Sequence, residues 1–364
     1  MDQQSGGATH LHSLQYLRAI AALLVVYFHA VDQVIRLTGS SSLPPVGASG
    51  VDIFFVLSGF VMWWTTSGRD TSPRDFILKR IVRVAPLYWI LTLCVAALSL
   101  AIPRLLQSTQ FDGWHIAMSL LFLPAWHPLL PAGTQGALVP VIVPGWTLNV
   151  EVAFYLLFAL ALRFSERQRP WIILFLLATL YVAGRTIFSS TPFRFYGTDL
   201  LAEFAAGLLL ARLIGHLPRT RPLAWAFVFA LALPAMLVMD GLHPPVPQSI
   251  HLGVPALLIV LCAVQVERAG GLRRSAFLAL LGNASYSIYL SHIFTVAAMR
   301  SAMRLIGVDV AIGGGSIFVV VTIIAAVIGG IVVHLWLEKP LLALANNFVR
   351  RGKRPPASVE FARS

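Results

Sequence analysis

Residues 14–35 read LQYLRAIAALLVVYFHAVDQVI, a run in which only Arg18 and Asp32 carry a formal charge and His29 is the only other ionisable group besides two tyrosines. A hydrocarbon core takes about 20 residues as helix, so this run is long enough to cross one. Apolar runs bounded by Pro, Gly and charge recur at about 50–66, 84–102, 146–164, 171–188, 199–214, 223–239, 251–266, 282–303 and 313–337. The predicted fold is therefore all-α and polytopic, a bundle of about ten transmembrane helices. Composition excludes an ordinary soluble domain: 57% of the 364 residues are hydrophobic and 12% charged, with mean hydropathy +0.79. A soluble domain carries about 25% charged residues. The segment WHIAMSLLFL (114–123) is apolar but too short to cross, and reads as an interfacial or re-entrant helix.

The net charge of +12, from 27 Lys and Arg against 15 Asp and Glu, raises nucleic acid as a partner. Membrane topology accounts for it instead. With the N-terminus inside, 20 of the 27 basic residues fall in inner segments and 6 in outer ones, with Arg18 inside a span. Basic loops face the cytoplasm, so both termini are expected there, and no nucleic-acid partner is needed. Keeping the first run as a span keeps all later loops consistent, which weighs against a cleaved signal peptide. The expected division is a cytoplasmic N-terminal tail (1–13), a transmembrane domain (14–338) and a basic cytoplasmic tail (339–364). The large outer connection 103–145, aromatic and nearly neutral, suits a partly buried lid or a sugar platform. Cys94 and Cys262 lie in apolar runs and read as packed thiols, and no metal site is expected.

Ionisable groups inside a membrane are costly, and so mark function by default. Arg18 and His29 are eleven residues apart, which puts them on nearly the same helical face about 16 Å apart along the axis. An anion with a long neutral arm, the shape of an acyl-CoA, fits that separation. Arg18 alone is also explained by snorkelling to the inner interface, and an isolated His29 by hydrogen bonding in a core. Asp32 needs only a surface pair with Arg36. In GVDIFFVLSGFVM, Asp52 falls near the outer face and Ser58 near mid-membrane. In FILKRIVRVAPLYW, Arg80 and Arg83 share a face at the inner mouth of the third run, where a positive flank or a phosphate-binding fork would both place them. Glu151, in PGWTLNVEVAFYLLF, lies at the depth of His29, and a carboxylate and an imidazole at one level can serve as orienter and base of acyl transfer. Tyr286, Tyr289 and His292 fall near mid-membrane in the ninth run. Glu203 and His334 are also buried by this reading, without an assigned role.

Taken together, these segments resemble the acyltransferase-3 family of integral membrane O-acyltransferases, and within it the exopolysaccharide acetyltransferases of the ExoZ type. The residues that carry the resemblance are Arg18 and His29 in LQYLRAIAALLVVYFHA, Asp52 and Ser58 in GVDIFFVLSGF, Arg80 and Arg83 before PLYW, Trp146 and Glu151 in WTLNVEVAFYLLF, and Tyr289 and His292 in YSIYLSH. The resemblance implies an enzyme of the bacterial inner membrane that takes an acyl group, acetyl being the expected one, from acyl-CoA. It implies a cell-envelope glycan or lipid-linked saccharide as acceptor, a donor substrate in place of a permanent cofactor, and separate polysaccharide assembly proteins as partners. Arg18 and His29 become the essential first-helix pair, Arg80 and Arg83 hold the donor, and His29 acts as base or transient acyl carrier with Glu151 or Asp52 orienting it. Ser58, Trp146, Tyr289 and His292 are expected as substrate or structural support. Two other classes also use intramembrane His, Glu and Arg: a proton-coupled exporter of a glycan precursor, which would be expected to show internal repeats, and a non-catalytic scaffold of an assembly complex.

Overall fold

The computed structural model of the chain describes residues 11–102, 110–130, 138–305 and 315–351, with side chains described up to 347. Much of the two expected tails, and parts of the 103–145 connection, lie outside the described residues. Among those described, the protein is helical throughout and has no strand. The helices are α1 (His12–Thr38), α2 (Gly50–Thr66), α3 (Pro73–Ala101), α4 (Gly113–Leu120), α5 (Trp146–Ala161), α6 (Arg169–Arg185), α7 (Leu200–Leu213), α8 (Pro222–Leu242), α9 (Gln248–His251), α10 (Gly253–Arg268), α11 (Ala276–Leu305), α12 (Gly315–Val333) and α13 (Lys339–Arg351). A single π-helical turn, His334–Glu338, joins α12 to α13. The short apolar segment near residue 114 is α4.

Among the described residues, each of the ten apolar runs overlaps a helix, and six helical stretches are long and apolar enough to cross a membrane: His12–Thr38, Pro73–Ala101, Val143–Ala161, Pro222–Leu242, Gln248–Arg268 and Gly315–Asn347. The others differ for physical reasons. The 14 residues of α7 rise only about 21 Å at 1.5 Å each, against a hydrocarbon core of about 30 Å. α11 has ample length, 30 residues, but its buried face carries Ser285, Ser287, Ser291 and His292.

α1 lies at the centre and packs on α2, α10, α11 and α12. Hydrogen bonds tie alternate connections together at one end of the bundle. The Glu267 carboxylate at the end of α10 accepts from the His12 and Ser13 N–H groups at the start of α1, each at 2.8 Å. Arg268 donates to the Leu217 carbonyl after α7, 3.3 Å away, and Arg212 at the end of α7 sits over Trp63 near the end of α2. The Ser67 hydroxyl and the Gly68 N–H after α2 donate to Glu166 between α5 and α6. The Ser67 bond holds the Glu166 carboxyl below the usual carboxylate range, so this latch is present at neutral pH and loosens only on acidification. At the other end, Asp240 of α8 accepts from the Gly47 and Ser49 N–H groups at 2.6 and 3.1 Å, and Asp199 accepts from the Gln248 N–H at 3.2 Å.

α3 begins well before its apolar run because Ser72 caps it, accepting from the Asp75 N–H at 3.1 Å, with Pro73 at the first helical position. Arg80 and Arg83 are thereby fixed on a rigid helix. α2 and α7 approach closely where two glycines face backbone: a Cβ on Gly59 would collide with the Phe204 carbonyl, and one on Gly207 with the Val56 carbonyl. Neither carbonyl can swing aside without breaking its helix. Gly207→Leu is therefore expected to lower the thermal unfolding midpoint of the purified protein sharply, at a cost of at least about 1–3 kcal/mol. An unchanged midpoint would show that the two helices are free to separate.

Candidate functional site

α1, α2, α3, α5 and α11 enclose a cavity of about 810 Å³, counting its open mouth. Six residues nominated from the sequence line it: Arg18, Ser58, Arg80, Arg83, Glu151 and Tyr289. Tyr155, Tyr286 and Thr147 add polar groups, and Phe54, Phe55, Val61 and Met62 supply apolar wall. Three guanidinium groups against one carboxylate make the cavity electropositive.

Each polar group has a definable support. Arg18, part-buried with its open side on the cavity, donates from Nε to Ser285 Oγ of α11 at 3.3 Å. Arg80 donates from Nη2 to Thr65 Oγ1 at 3.1 Å, and its guanidinium carbon lies 5.3 Å from the centre of the Phe76 ring. Arg83, one turn further along α3, is exposed. Glu151 accepts from Ser58 Oγ at 2.8 Å and from the Tyr155 hydroxyl at 2.5 Å. Residues 151 and 155 are one turn apart on α5, so the helix itself sets that contact. Tyr286 donates to the Val84 carbonyl at 2.6 Å, and Tyr289 to that of Pro144 at 3.1 Å, beside the Thr147 hydroxyl at 3.0 Å.

Behind Tyr289 stand the two imidazoles. The rings of Tyr289 and His292 have centroids 6.1 Å apart, and those of His292 and His29 4.8 Å, tilted by 58°. His29 Nδ1 lies 2.9 Å from the Val25 carbonyl, and His292 Nδ1 2.6 Å from that of Tyr289. A carbonyl only accepts, so each bond requires the proton on Nδ1 and leaves the Nε2 lone pair available. His292 Nε2 is buried and has no hydrogen-bond partner among the described residues.

The structure does not bring Glu151 or Asp52 to His29. Glu151 is engaged by Ser58 and Tyr155, and the Val25 carbonyl occupies the orienting position on the imidazole. Asp52, fully buried at the far end of α2, accepts from Gln248 Nε2 at 3.0 Å and lies beside Glu203. Trp146 is outside the cavity wall and meets Phe195 edge to face at 6.1 Å. Sequence reasoning missed Thr65, Tyr155 and Ser285. Tyr155 was legible from its helical spacing to Glu151, whereas the other two are brought in by tertiary packing. It also left His334 without a role and passed over Glu338: His334 Nδ1 and Ser287 Oγ both bond Glu338 Oε2, at 2.7 and 2.6 Å.

Residues 11–335 match the model of the family described as the acyltransferase domain of acyltransferase 3. Among relatives, exopolysaccharide production protein ExoZ of Rhizobium meliloti is 34% identical over 303 residues, covering 82% of this chain and 90% of that protein. Acyltransferase MdmB of Streptomyces mycarofaciens is 28% identical over 393 aligned positions, covering 96% of this chain and 94% of its own. No solved structure matches the chain.

The short bond from Tyr155 gives Glu151 one of its two side-chain partners. A hydrogen bond to a charged group contributes about 1.5–3 kcal/mol, so Tyr155→Phe should depress the thermal midpoint measurably while leaving the helix content intact. A midpoint equal to that of the unmodified protein would mean that Glu151 is held by other means.

Proposed function

The chain belongs to the acyltransferase-3 family of membrane acyltransferases, and from that membership we propose that it moves an acyl group, acetyl being the expected one, from cytoplasmic acyl-CoA to a hydroxyl of a cell-envelope or exopolysaccharide sugar, or of its lipid-linked precursor. The observation that carries the proposal is the convergence of Arg18, Arg80 and Arg83 on one cavity, with Tyr289 on its wall packed against His292 and, through it, His29. A CoA bears several phosphates on a long, nearly neutral arm. Guanidinium forks suit phosphate, and the apolar wall suits the arm. In this reading the protein crosses the bacterial inner membrane ten times with both termini in the cytoplasm, which puts the arginine end of α3 on the side where CoA is found.

The chemistry falls to His29. Its free Nε2 takes the proton of the sugar hydroxyl as the hydroxyl oxygen attacks the thioester carbon. The C–S bond breaks, and the CoA thiolate leaves with that proton as the free thiol. The Val25 carbonyl keeps the imidazole in the required tautomer, while Glu151, held by Ser58 and Tyr155, offsets the arginine charge. The same Nε2 lone pair also serves a transient acyl-histidine, and trapping labelled acyl-enzyme with donor alone separates the two routes. The exopolysaccharide production of the relative ExoZ supports a glycan acceptor and a place beside polysaccharide assembly proteins.

General-base catalysis is worth about 10²–10⁴-fold. His29→Ala should therefore cut acyl transfer by at least the lower figure in membranes that still contain the inserted protein, and activity near that of the unmodified enzyme would overturn the role of His29. Release of CoA from acetyl-CoA on addition of glycan acceptor distinguishes this enzyme from an exporter or a scaffold, neither of which would release it.

A further inference from the structure

On the side of α3 and α5 turned away from the cavity lies a second hollow, a groove of about 1130 Å³ counting its open mouth. One wall is a row on α3: Arg74, Ile77, Leu78 and Ile81, at the i, i+3, i+4 and i+7 positions of one helical face. The other is the same row on α5: Leu156, Ala159 and Leu160, with Arg163 following just past the last helical residue, Ala161. At 100° per residue, Arg83 points nearly opposite the first row and Glu151 about 130° from the second. The groove and the cavity therefore share two helices but no residue. The start of α3 meets the end of α5, where the Phe76 and Phe158 rings stack with centroids 5.0 Å apart, so both arginines stand at one end of the groove. Leu156 and Leu160, 58% and 42% exposed, leave it open sideways.

The lining holds two guanidinium groups and no carboxylate. Both arginines are exposed, and among the described residues neither enters an ion pair or a side-chain hydrogen bond. Arg74 stands in the first turn of α3, the end at which the helix dipole disfavours a cation, so the helix itself gains nothing from it. A guanidinium pairs well with phosphate, and basic pockets between transmembrane helices take anionic lipid headgroups. The apolar rows that run on from both arginines suit an acyl chain. We propose that the groove holds an anionic phospholipid of the surrounding leaflet, its phosphate shared by Arg74 and Arg163 and a chain laid against Ile77, Ile81, Leu156 and Leu160. The occupant is a phospholipid and not the lipid carrier of an acceptor, because a saccharide carried here would lie behind α3 and α5, away from His29. The lipid is a bound ligand that takes no part in the reaction, and its site does not depend on the acyl-transfer reading.

The test is native mass spectrometry of the full-length, detergent-solubilised protein titrated with lipids. The unmodified protein is expected to retain phosphatidylglycerol about tenfold more tightly than phosphatidylcholine with the same chains, because only the first carries a net negative charge to the two arginines. Arg74→Gln combined with Arg163→Gln should abolish that preference and leave phosphatidylcholine retention unchanged. Arg219→Gln combined with Arg221→Gln removes the same charge from exposed positions between α7 and α8, and should keep the preference. Glycerol phosphate, which has no chains, should not displace bound phosphatidylglycerol even in large excess. Equal retention of the two phospholipids by the unmodified protein would overturn the proposal. So would equal loss of preference in both arginine pairs, which would show a diffuse basic belt in place of a site. Displacement by glycerol phosphate would make the groove a site for free phosphate, and tighter retention of a polyprenyl phosphate than of phosphatidylglycerol would make it a carrier site. Either result contradicts a phospholipid as its occupant.

Discussion

Burying positive charge in a hydrocarbon-thick bundle is the constraint on which the rest of this structure depends. An ionised side chain in a membrane interior is tolerated only where other groups or water receive it. Arg18 and Arg80 are received by small hydroxyls, Ser285 and Thr65, and by an aromatic face, that of Phe76. Glu151 balances them from the opposite wall and is itself held by Ser58 and Tyr155. Three of these contacts join different pairs of helices, Arg18–Ser285 tying α1 to α11, Arg80–Thr65 α3 to α2, and Glu151–Ser58 α5 to α2, while Arg80–Phe76 and Glu151–Tyr155 lie within α3 and α5. The polar cavity is consequently one of the places where α1, α2, α3, α5 and α11 are locked together, and the electropositive lining used in the proposed function is a by-product of that lock.

The apolar packing around it explains how such a cavity survives. α2 and α7 touch backbone to backbone through Gly59 and Gly207, which leaves Phe54, Ser58 and Val61, turned away from α7, to face the cavity. Close packing through small residues is the usual way for helices to associate in lipid, where burial of apolar side chains gives no advantage over the solvent. α11 completes the arrangement by turning Ser285 and His292 against α1 and Ser287 against Glu338, at the expense of its own apolar character.

Much of this was legible in the sequence, because its signals are local. Run length and boundary residues place the helices, and the eleven-residue spacing puts Arg18 and His29 on one face. The i,i+3 spacing of Arg80 and Arg83 likewise aims both at the same cavity. What was not legible depends on contacts between distant segments. Depth alone suggested that Glu151 would meet His29, since both fall at the same level, but depth does not fix rotation about the helix axis. Glu151 turns to Ser58 and Tyr155, and His29 takes its orienting bond from its own backbone at Val25. Asp52 similarly belongs to a separate buried group with Gln248 and Glu203. His334 and Glu338 have the i,i+4 spacing of a helical pair, whereas the addition of Ser287 from α11 to that pair again depends on tertiary packing.

The proposed reaction has donor and acceptor on opposite faces: phosphates at the arginine end, a sugar hydroxyl reaching the imidazoles from beyond Tyr289. The measurement that tests this most directly uses sealed proteoliposomes of known orientation, with labelled acetyl-CoA confined to the face bearing the ends of α2 and α7 and a glycan acceptor confined to the other. The account predicts labelled glycan on the acceptor side and free CoA thiol on the donor side. Transfer only when both substrates share one face would contradict it.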